Sequence, residues 1–331
     1  MTFNNTGFIN IITGKHPDAT MSGHGTSVRR RGTSNDMDIV EKTVNPKGCF
    51  KNNPEQWFEN NKNARIISRE IRALDNPAYF VPTTFISHRE VYEQFVDGTK
   101  LRNVGEKYLE NHQHELICAI GNFINDMTEL RPVKIKKSNN SVPGVRLKDV
   151  NELNGLLDNF SSVLSKSVQK TIKDVYVYLR DLPENNEFVF AHKDLHPNNI
   201  IINTKTNLIS IIDFEMSGYQ SKFAAMYQMG TTSFPELWDY INHLPRTKNP
   251  NLQWDFDNKK QELFRFLRWT TAEMKSIMLK RENFDIYEFV QKFEMNCKVI
   301  RLTLENNKNG THTKNKHLQI MTPVLLKHYE K

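Results

Sequence analysis

Cysteine is scarce in this chain of 331 residues, which contains only Cys49, Cys118 and Cys297. Because the three are odd in number and far apart in the sequence, we expect neither a disulfide framework nor a zinc site built from paired cysteines. No run of about 18 apolar residues occurs, so no transmembrane helix is expected. The N-terminus also lacks the basic stretch and sustained apolar core of a secretion signal. These absences favour a cytoplasmic protein without membrane contact.

Charge of one sign is not concentrated in the way that nucleic-acid binding requires. The 45 Lys and Arg residues against 38 Asp and Glu give a formal net charge of +7 at pH 7. Positive potential in a cleft favours an anionic ligand such as a nucleotide, although charge spread over solvated faces gives the same sum. The basic clusters 29–31 and 134–137 are not interleaved with the aromatic residues that single-strand binding surfaces use. No nucleic-acid partner is therefore expected, and the role of the basic loop 131–150 stays open.

The spacing of apolar residues divides the chain into a strand-rich first part and a mainly helical second part. The length permits two domains, and we predict them at 1–97 and 98–331, on either side of an Asp-Gly turn signal. In the first part, residues 61–74 are predicted as a helix because Ile66, Ile67, Ile71 and Leu74 recur at helical spacing. The other predicted elements are strands at 37–44, 79–86 and 90–96, and helices at 108–130, 150–182 (one or two), 263–279 and 284–304.

The strongest chemical signal surrounds a predicted β-hairpin. Two apolar runs, 200–202 and 208–212, are joined by a short polar turn. A hairpin returns the chain to where it began, so Asp194, Asn199 and Asp213 are expected to converge at one end of it. Carboxylate and amide oxygens are ligands that Mg²⁺ accepts together with phosphate and water. The remaining carboxylate can orient a hydroxyl and accept its proton, which phosphoryl transfer requires.

This region resembles the catalytic and metal-binding loops of the aminoglycoside phosphotransferase and choline kinase superfamily. The resemblance lies in AHKDLHPNNIIIN at 191–203 and ISIIDFE at 209–215. It implies an α+β, bilobal protein kinase-like fold, in which a small antiparallel sheet and one long helix form the nucleotide-binding lobe. A mainly helical second lobe contains the catalytic hairpin and binds the substrate. The insert at 195–197 favours the small-molecule branch of that fold over protein kinases.

The resemblance also implies the activity and the roles of the residues at the hairpin. The γ-phosphate of ATP or GTP would pass to a hydroxyl of a metabolite or antibiotic. Asp194 would act as the catalytic base, Asn199 and Asp213 would hold Mg²⁺, and His192 would brace the loop. Glu215 stands where protein kinases have glycine, and its role stays open between contact with the metal or a substrate cation and an ordinary polar position.

In the first part of the chain, the resemblance implies a nucleotide site. Gly23 and Gly25 would form the turn over the phosphates, where glycine permits close backbone approach to an anion. Lys42 would contact the α- and β-phosphates, with Glu70 on the following helix as its ion-pair partner; an exposed helical glutamate is the alternative for Glu70. Backbone groups from Gln94 to Val96 would bind the edge of the base.

Two further points stay open at the level of sequence. The stretch 234–240 (FPELWDY) mixes acids with aromatics that can hold an ammonium group, but Pro235 also suits the first turn of a helix. The alternative functions are a kinase-fold enzyme acting on protein, and a nucleotide-binding module without catalysis. The phosphate acceptor, the preference for ATP or GTP, and the choice between monomer and homodimer are not fixed by the sequence.

Overall fold

The computed structural model describes most of the central part of the chain. The described residues are 20–22, 26–34, 37–45, 52–87, 90–130, 142, 145, 147–227, 235–248, 250–278 and 286–305. They fall into two compact units, of which the first comprises the described parts of Met1–Lys136, Phe190–Tyr219 and Gln228–Trp254. The second comprises those of Lys137–Val189, Gln220–Tyr227 and Asp255–Lys331. The predicted division at residue 97 stays a prediction.

A five-stranded antiparallel sheet forms one part of the first unit. The strands are β1 Thr20–Ser22, β2 Thr26–Ser34, β3 Met37–Val44, β4 Thr84–Ser87 and β5 Glu90–Gln94. They lie in the order β1-β2-β3-β5-β4. The predicted strand 37–44 is β3, the predicted strand 79–86 overlaps β4 only at its end, and the predicted strand 90–96 is β5, which ends two residues earlier.

Helix α1 (Pro54–Arg72) is the long helix of this unit and begins earlier than the sequence predicts. Asn53 caps it by accepting a hydrogen bond from the Gln56 backbone N–H, and Pro54 occupies the first turn, where its missing N–H costs nothing. Its buried face packs against β4 and against the 3₁₀ turn Phe214–Met216. The buried residues recur every three or four positions: Trp57, Asn61, Ala64, Ile67, Ser68 and Ile71.

A three-stranded sheet carries the hairpin that the sequence predicts. β8 (Ile200–Asn203) and β9 (Leu208–Ile211) pair antiparallel, and the short β6 (Thr99–Lys100) pairs with the other edge of β8. Gly98, directly before β6, has φ +151°, and a Cβ there would lie 2.5 Å from the carbonyl oxygen of Ile202. Only glycine allows the two backbones to approach this closely.

Replacing Gly98 by alanine should therefore lower the free energy of unfolding by about 2 kcal/mol or more, because the chain must move away from β8. Gly155, inside a helix with open space around it, is the matched control, and Gly155→Ala should be neutral or stabilising. Denaturant unfolding of both variants checks the prediction. Equal effects of the two substitutions would contradict it.

Helices make up most of the remainder. They are α2 Glu106–Asn111, α3 Gln113–Glu129, α4 Val150–Asp158, α5 Lys166–Arg180, α6 Lys222–Tyr227, α7 Pro235–His243, α8 Asn258–Met278 and α9 Ile286–Glu305. α3 and α7 pack together in the first unit, while α4, α5, α8 and α9 pack in the second.

Two predicted helices differ in detail from the observed ones. The predicted helix 108–130 is two helices that meet at His112. The break predicted near Ser165 is present, and Ser165 caps α5. The two strands not yet named, β7 Phe188–Ala191 and β10 Gly218–Ser221, pair with each other.

This combination of small antiparallel sheets and many helices confirms the predicted α+β class. Cys118 and Cys297 are free thiols, and Cys49 lies outside the described residues. Within the part of the chain that the structure describes, no helix combines the length and the apolar character needed to cross a membrane.

Candidate active site

The hairpin brings the polar loop before β8 next to the residue after β9. The Ile212 backbone N–H donates to the Asn199 carbonyl oxygen at 3.0 Å. His192 Nε2 lies 2.9 Å from the carbonyl oxygen of Ile212. Because Asp213 is the next residue, these two bonds hold it beside the loop that carries Asp194.

Within the loop, Asn199 is bonded to Asp194. The Asn199 side chain is buried, and its Nδ2 donates to the Asp194 backbone oxygen at 2.9 Å and to Oδ2 at 3.2 Å. Both bonds use the amide nitrogen, so the Oδ1 atom remains for another partner. The Asp194 side chain is 45% exposed, which leaves the carboxylate accessible to a substrate.

His192 supports this loop from inside the protein. It is buried against Phe214, with ring centroids 4.9 Å apart. Its Nε2–H donates to the Ile212 carbonyl, and its Nδ1 accepts from the Asp194 backbone N–H at 3.3 Å. Both ring nitrogens are therefore engaged by the backbone. Burial lowers the pKa of His192, and the bond to Ile212 opposes this shift only in part, so the ring is neutral and suits a bracing role.

This lowered pKa predicts a dependence of stability on pH. The unfolded chain binds a proton at His192 near the usual pKa of about 6.5, whereas the folded state takes it up only at lower pH. The neutral ring therefore contributes its full stabilisation above the unfolded pKa of about 6.5, and this contribution is lost as the pH falls from there through the lower folded pKa. Denaturant unfolding at about pH 7 and about pH 5 should show a larger loss for the wild type than for His192→Gln. Equal losses in the two proteins would contradict the assignment.

Lys42 joins the five-stranded sheet to the same centre. Its Nζ lies 2.9 Å from Asp213 Oδ1 and 3.8 Å from Glu93 Oε2. The pairing of β3 with β5 places Lys42 opposite Val91, so Glu93 is its diagonal neighbour on the same face of the sheet. Glu93 was not predicted as a partner of Lys42, although an acid directly after the apolar pair Val91–Tyr92 in β5 was a signal that could have drawn attention to it.

The charges in this cluster are strongly coupled. Burial acts to lower the pKa of Lys42, but Asp213, Glu93 and Glu215 together raise it well above the usual range, so the ammonium stays charged. Burial acts to raise the pKa of Asp213, and Lys42 outweighs this and lowers it. At Glu93 burial prevails over Lys42 and raises the pKa. Three acids, Asp213, Glu93 and Glu215, thus act on a single ammonium, and carboxylate oxygens of this kind are ligands that a divalent cation accepts.

The structure does not bring Glu70 to Lys42. Among the described residues the carboxylate partners of Lys42 are Glu93 and Asp213. The residue of α1 that faces the centre is Asn61, whose Nδ2 donates to Glu215 Oε2 at 3.3 Å. Glu70 lies nine residues further on, about two and a half turns at 3.6 residues per turn. It therefore projects from the opposite side of the helix, and the expected Lys42–Glu70 ion pair is corrected to Lys42–Glu93 and Lys42–Asp213.

The other predicted nucleotide contacts divide into two groups. Gly23 and Gly25 lie outside the described residues. In the segment after β5, the backbone N–H groups of Gln94 and Phe95 donate to the carbonyls of Thr83 and Asp38 at 2.8 and 2.7 Å. Within the described residues no such bond involves Val96, so its backbone is the one available to a ligand.

Two of the four non-glycine residues with positive φ in the described part of the chain lie at this centre. Lys193 (φ 64°) and Asp213 (φ 69°) both have left-handed conformations, which non-glycine residues seldom adopt. Lys193 directly precedes Asp194, and Asp213 is held by Lys42. Strained residues of this kind persist where the surrounding contacts impose them, and they cluster at functional sites.

A groove near the start of α7 contains part of the acidic and aromatic stretch noted in the sequence. Pro235 begins α7, as the alternative interpretation of that stretch predicts. Glu236 and Tyr240 also line an open groove of about 520 Å³. The rest of its lining comes from α2, its junction with α3, and α3: Glu110, Asn111, Gln113, His114 and Ile117.

Comparison with known proteins agrees with this geometry. The family model of choline/ethanolamine kinase matches residues 92–228, which include Glu93, the loop that carries Asp194 and the hairpin. The match supports a phosphotransferase whose acceptor is a hydroxyl group, as predicted. A sequence comparison with curated proteins finds no match.

The fold is shared with solved small-molecule kinases. An ethanolamine kinase from Plasmodium vivax is 14% identical, with a TM-score of 0.51 and coverage of 87% of this chain and 84% of that one. An amicoumacin kinase, solved with AMP-PNP, Ca²⁺ and its ligand, is 12% identical with a TM-score of 0.51, covering 89% and 93%. A spectinomycin phosphotransferase with ADP and spectinomycin is 11% identical with a TM-score of 0.48, covering 87% and 93%. The predicted kinase-like fold and the resemblance to this group are confirmed.

Proposed function

We propose that the chain is a small-molecule kinase that transfers the γ-phosphate of ATP or GTP to a hydroxyl group. The observation that carries this proposal is the pair of contacts at the end of the hairpin. The Asn199 amide holds Asp194, and the Asn199 carbonyl receives the backbone N–H of Ile212 beside Asp213. A candidate base and two oxygen ligands thus lie together.

Asp194 acts as the base in this proposal. Its carboxylate is accessible, and Asn199 fixes its orientation through Oδ2. It orients the acceptor hydroxyl and takes its proton as the oxygen attacks the phosphorus. His192 keeps the loop in place through two backbone contacts and does not itself move a proton.

The donor atoms fit magnesium. Among the described residues the bonds of the Asn199 side chain use Nδ2 and leave Oδ1 for a ligand, and Asp213 supplies a carboxylate whose lowered pKa keeps it ionised. Hard oxygen donors are the ligands that Mg²⁺ prefers. Asn199 and Asp213 would hold the ion, which when bound neutralises charge on the nucleotide phosphates.

The nucleotide would lie along the five-stranded sheet. Lys42 offers a charged ammonium for the α- and β-phosphates. The Val96 backbone, with Gln94 before it, would bind the edge of the base, and Gly23 and Gly25 would cover the phosphates. Glu93 holds Lys42 from a neighbouring strand, in the place that Glu70 was expected to take.

The acceptor is a small hydroxylated molecule. The similar solved structures include an ethanolamine kinase and an amicoumacin kinase, so amino alcohols and hydroxylated antibiotics are the first compounds to test. We propose a cytoplasmic setting, with the protein as a monomer or homodimer and without a nucleic-acid partner. The presence of Lys42, Asp194, Asn199 and Asp213 together supports an active kinase over a binding module.

A screen for magnesium-dependent nucleotide consumption tests this function. The purified protein is incubated with ATP or GTP and a panel of amino alcohols, sugars and antibiotics. At least one acceptor should raise ADP or GDP formation well above the rate without acceptor, and EDTA should abolish the gain. Phosphorylated acceptor should then be found by mass spectrometry. No shift in melting temperature at millimolar nucleotide with magnesium, together with no product, would overturn the proposal.

A further inference from the structure

Helix α1 reaches the catalytic centre through a neutral side chain. Asn61 is 0% exposed, on the face of α1 that packs against the turn Phe214–Met216. Its Nδ2 donates to Glu215 Oε2 at 3.3 Å and to the Trp57 carbonyl oxygen at 3.0 Å. Two acceptors around one nitrogen fix the orientation of the amide, because the reversed amide would place its oxygen against both of them.

This orientation has a cost that packing alone does not explain. Asn61 Oδ1 is buried and has no hydrogen-bond partner in the described part of the chain. A buried acceptor without a donor destabilises the fold, whereas a leucine of similar size would avoid the penalty. The amide at this position is therefore explained by what its nitrogen does for Glu215.

A neutral residue here also avoids adding another acid to the cluster. Glu93, Asp213 and Glu215 all act electrostatically on Lys42. A carboxylate at position 61 would be the fourth around a single ammonium. In protein kinases the helix supplies a glutamate for the strand lysine, but in this chain the acids come from β5 and from the segment after β9. Asn61 and Glu215 thus form a matched pair, in which the acid lies on the turn and the amide on the helix.

We propose that Asn61 is a positioning residue for phosphoryl transfer, whose amide orients the Glu215 carboxylate beside Lys42 and Asp213. This proposal rests on the proposed function of the same site. Asn61 touches neither nucleotide nor acceptor, and it acts through the geometry of Glu215. Its removal should therefore alter the magnesium dependence and the turnover number, while the KM of the acceptor stays the same.

Asn61→Leu tests the role in turnover. Groups that orient the surroundings of a metal change activity or metal affinity by about 10- to 100-fold, so kcat should fall by about tenfold or more and half-maximal activity should need several times more Mg²⁺. The acceptor KM should be unchanged. Asn63→Leu, on the exposed side of the same helix, is the control and should behave like the wild type. Wild-type kcat and magnesium dependence in Asn61→Leu would overturn the proposal, as would a change in melting temperature alone.

An exchange of the two side chains tests the contact itself. Asn61→Asp places two carboxylates about 3 Å apart, within the range of a direct hydrogen bond, and should lower the melting temperature. Glu215→Gln should also lower it. The double variant Asn61→Asp/Glu215→Gln restores one amide and one carboxylate. Its melting temperature should therefore fall by less than the sum of the decreases in the two single variants. Additive changes with an active wild type would overturn this proposal alone, whereas a wild type without transferase activity would overturn the proposed function and this proposal with it.

Discussion

Asp194→Asn should reduce phosphoryl transfer by about 10²- to 10⁴-fold, the range that a positioned general base contributes. The substitution keeps the shape of the side chain and an oxygen that can accept from Asn199, but it removes the capacity to take a proton. The loss should appear in kcat, with the KM of both substrates nearly unchanged, because the interaction lost is made in the transition state.

The structure supplies the controls for this experiment. The Asp194 side chain is 45% exposed and Asn can still accept from Asn199, so the variant should unfold at nearly the wild-type temperature and still bind nucleotide. Asp181→Asn, at an exposed pair with Arg180 in the second unit, should leave kcat unchanged. If Asp194→Asn kept wild-type turnover with any acceptor, the assignment of the base would be wrong.

Lys42→Met should have the second largest effect, on both stability and activity. Lys42 is 5% exposed and bridges Asp213 and Glu93. Removing one partner of a buried ion pair leaves an uncompensated charge and typically costs about 3–5 kcal/mol. The nucleotide phosphates also lose their cationic partner, so activity should fall to background.

A second substitution separates these two consequences. In Lys42→Met/Glu93→Gln one of the two acids next to the missing ammonium is neutral, so part of the lost stability should return, while Asp213 stays without its cation. Activity should not return, because no cation is left for the phosphates. Denaturant unfolding and nucleotide titration measure the two effects independently. A double variant that is as unstable as Lys42→Met would show that Lys42 does not stabilise the Glu93 carboxylate.

The hairpin could be predicted from the sequence because its determinants are local. The loop, both strands and Asp213 lie within 24 consecutive residues, and their apolar and polar pattern alone places the ends of the hairpin together. His192 was expected to brace the loop, and its two backbone contacts fit that role. The assignment of Asp194, Asn199 and Asp213 to base and metal stays a prediction that the variants above test.

The surroundings of Lys42 could not be predicted because they depend on register and helix phase. Glu93 becomes a partner only once β3 and β5 pair with Lys42 opposite Val91. Of the predicted stripe, Ile67 and Ile71 are buried on α1, whereas Ile66 is 44% exposed, and Leu74, beyond the end of the helix, is 46% exposed. Hydrophobic periodicity therefore identified the buried face only in part.

The true face of α1 contains polar residues that no apolar pattern reveals. Asn61 and Ser68 are both buried there, with Trp57 one turn before Asn61. A buried asparagine looks like a solvent-facing residue in the sequence, and only its contact with Glu215 distinguishes it. For the same reason, the role of Glu215 could not be decided from the sequence. Its carboxylate is bonded by Asn61, on a helix about 150 residues away in the chain.

Calorimetric titration with the non-hydrolysable nucleotide AMP-PNP tests the central claim most directly. The claim is that Lys42, Asn199 and Asp213 form one metal-dependent nucleotide site. Binding should be measurable with Mg²⁺, should weaken by about tenfold or more in EDTA, and should be similarly weak in Asp213→Asn with or without the metal. Binding of equal strength in EDTA, or undiminished magnesium-dependent binding by Asp213→Asn, would contradict it.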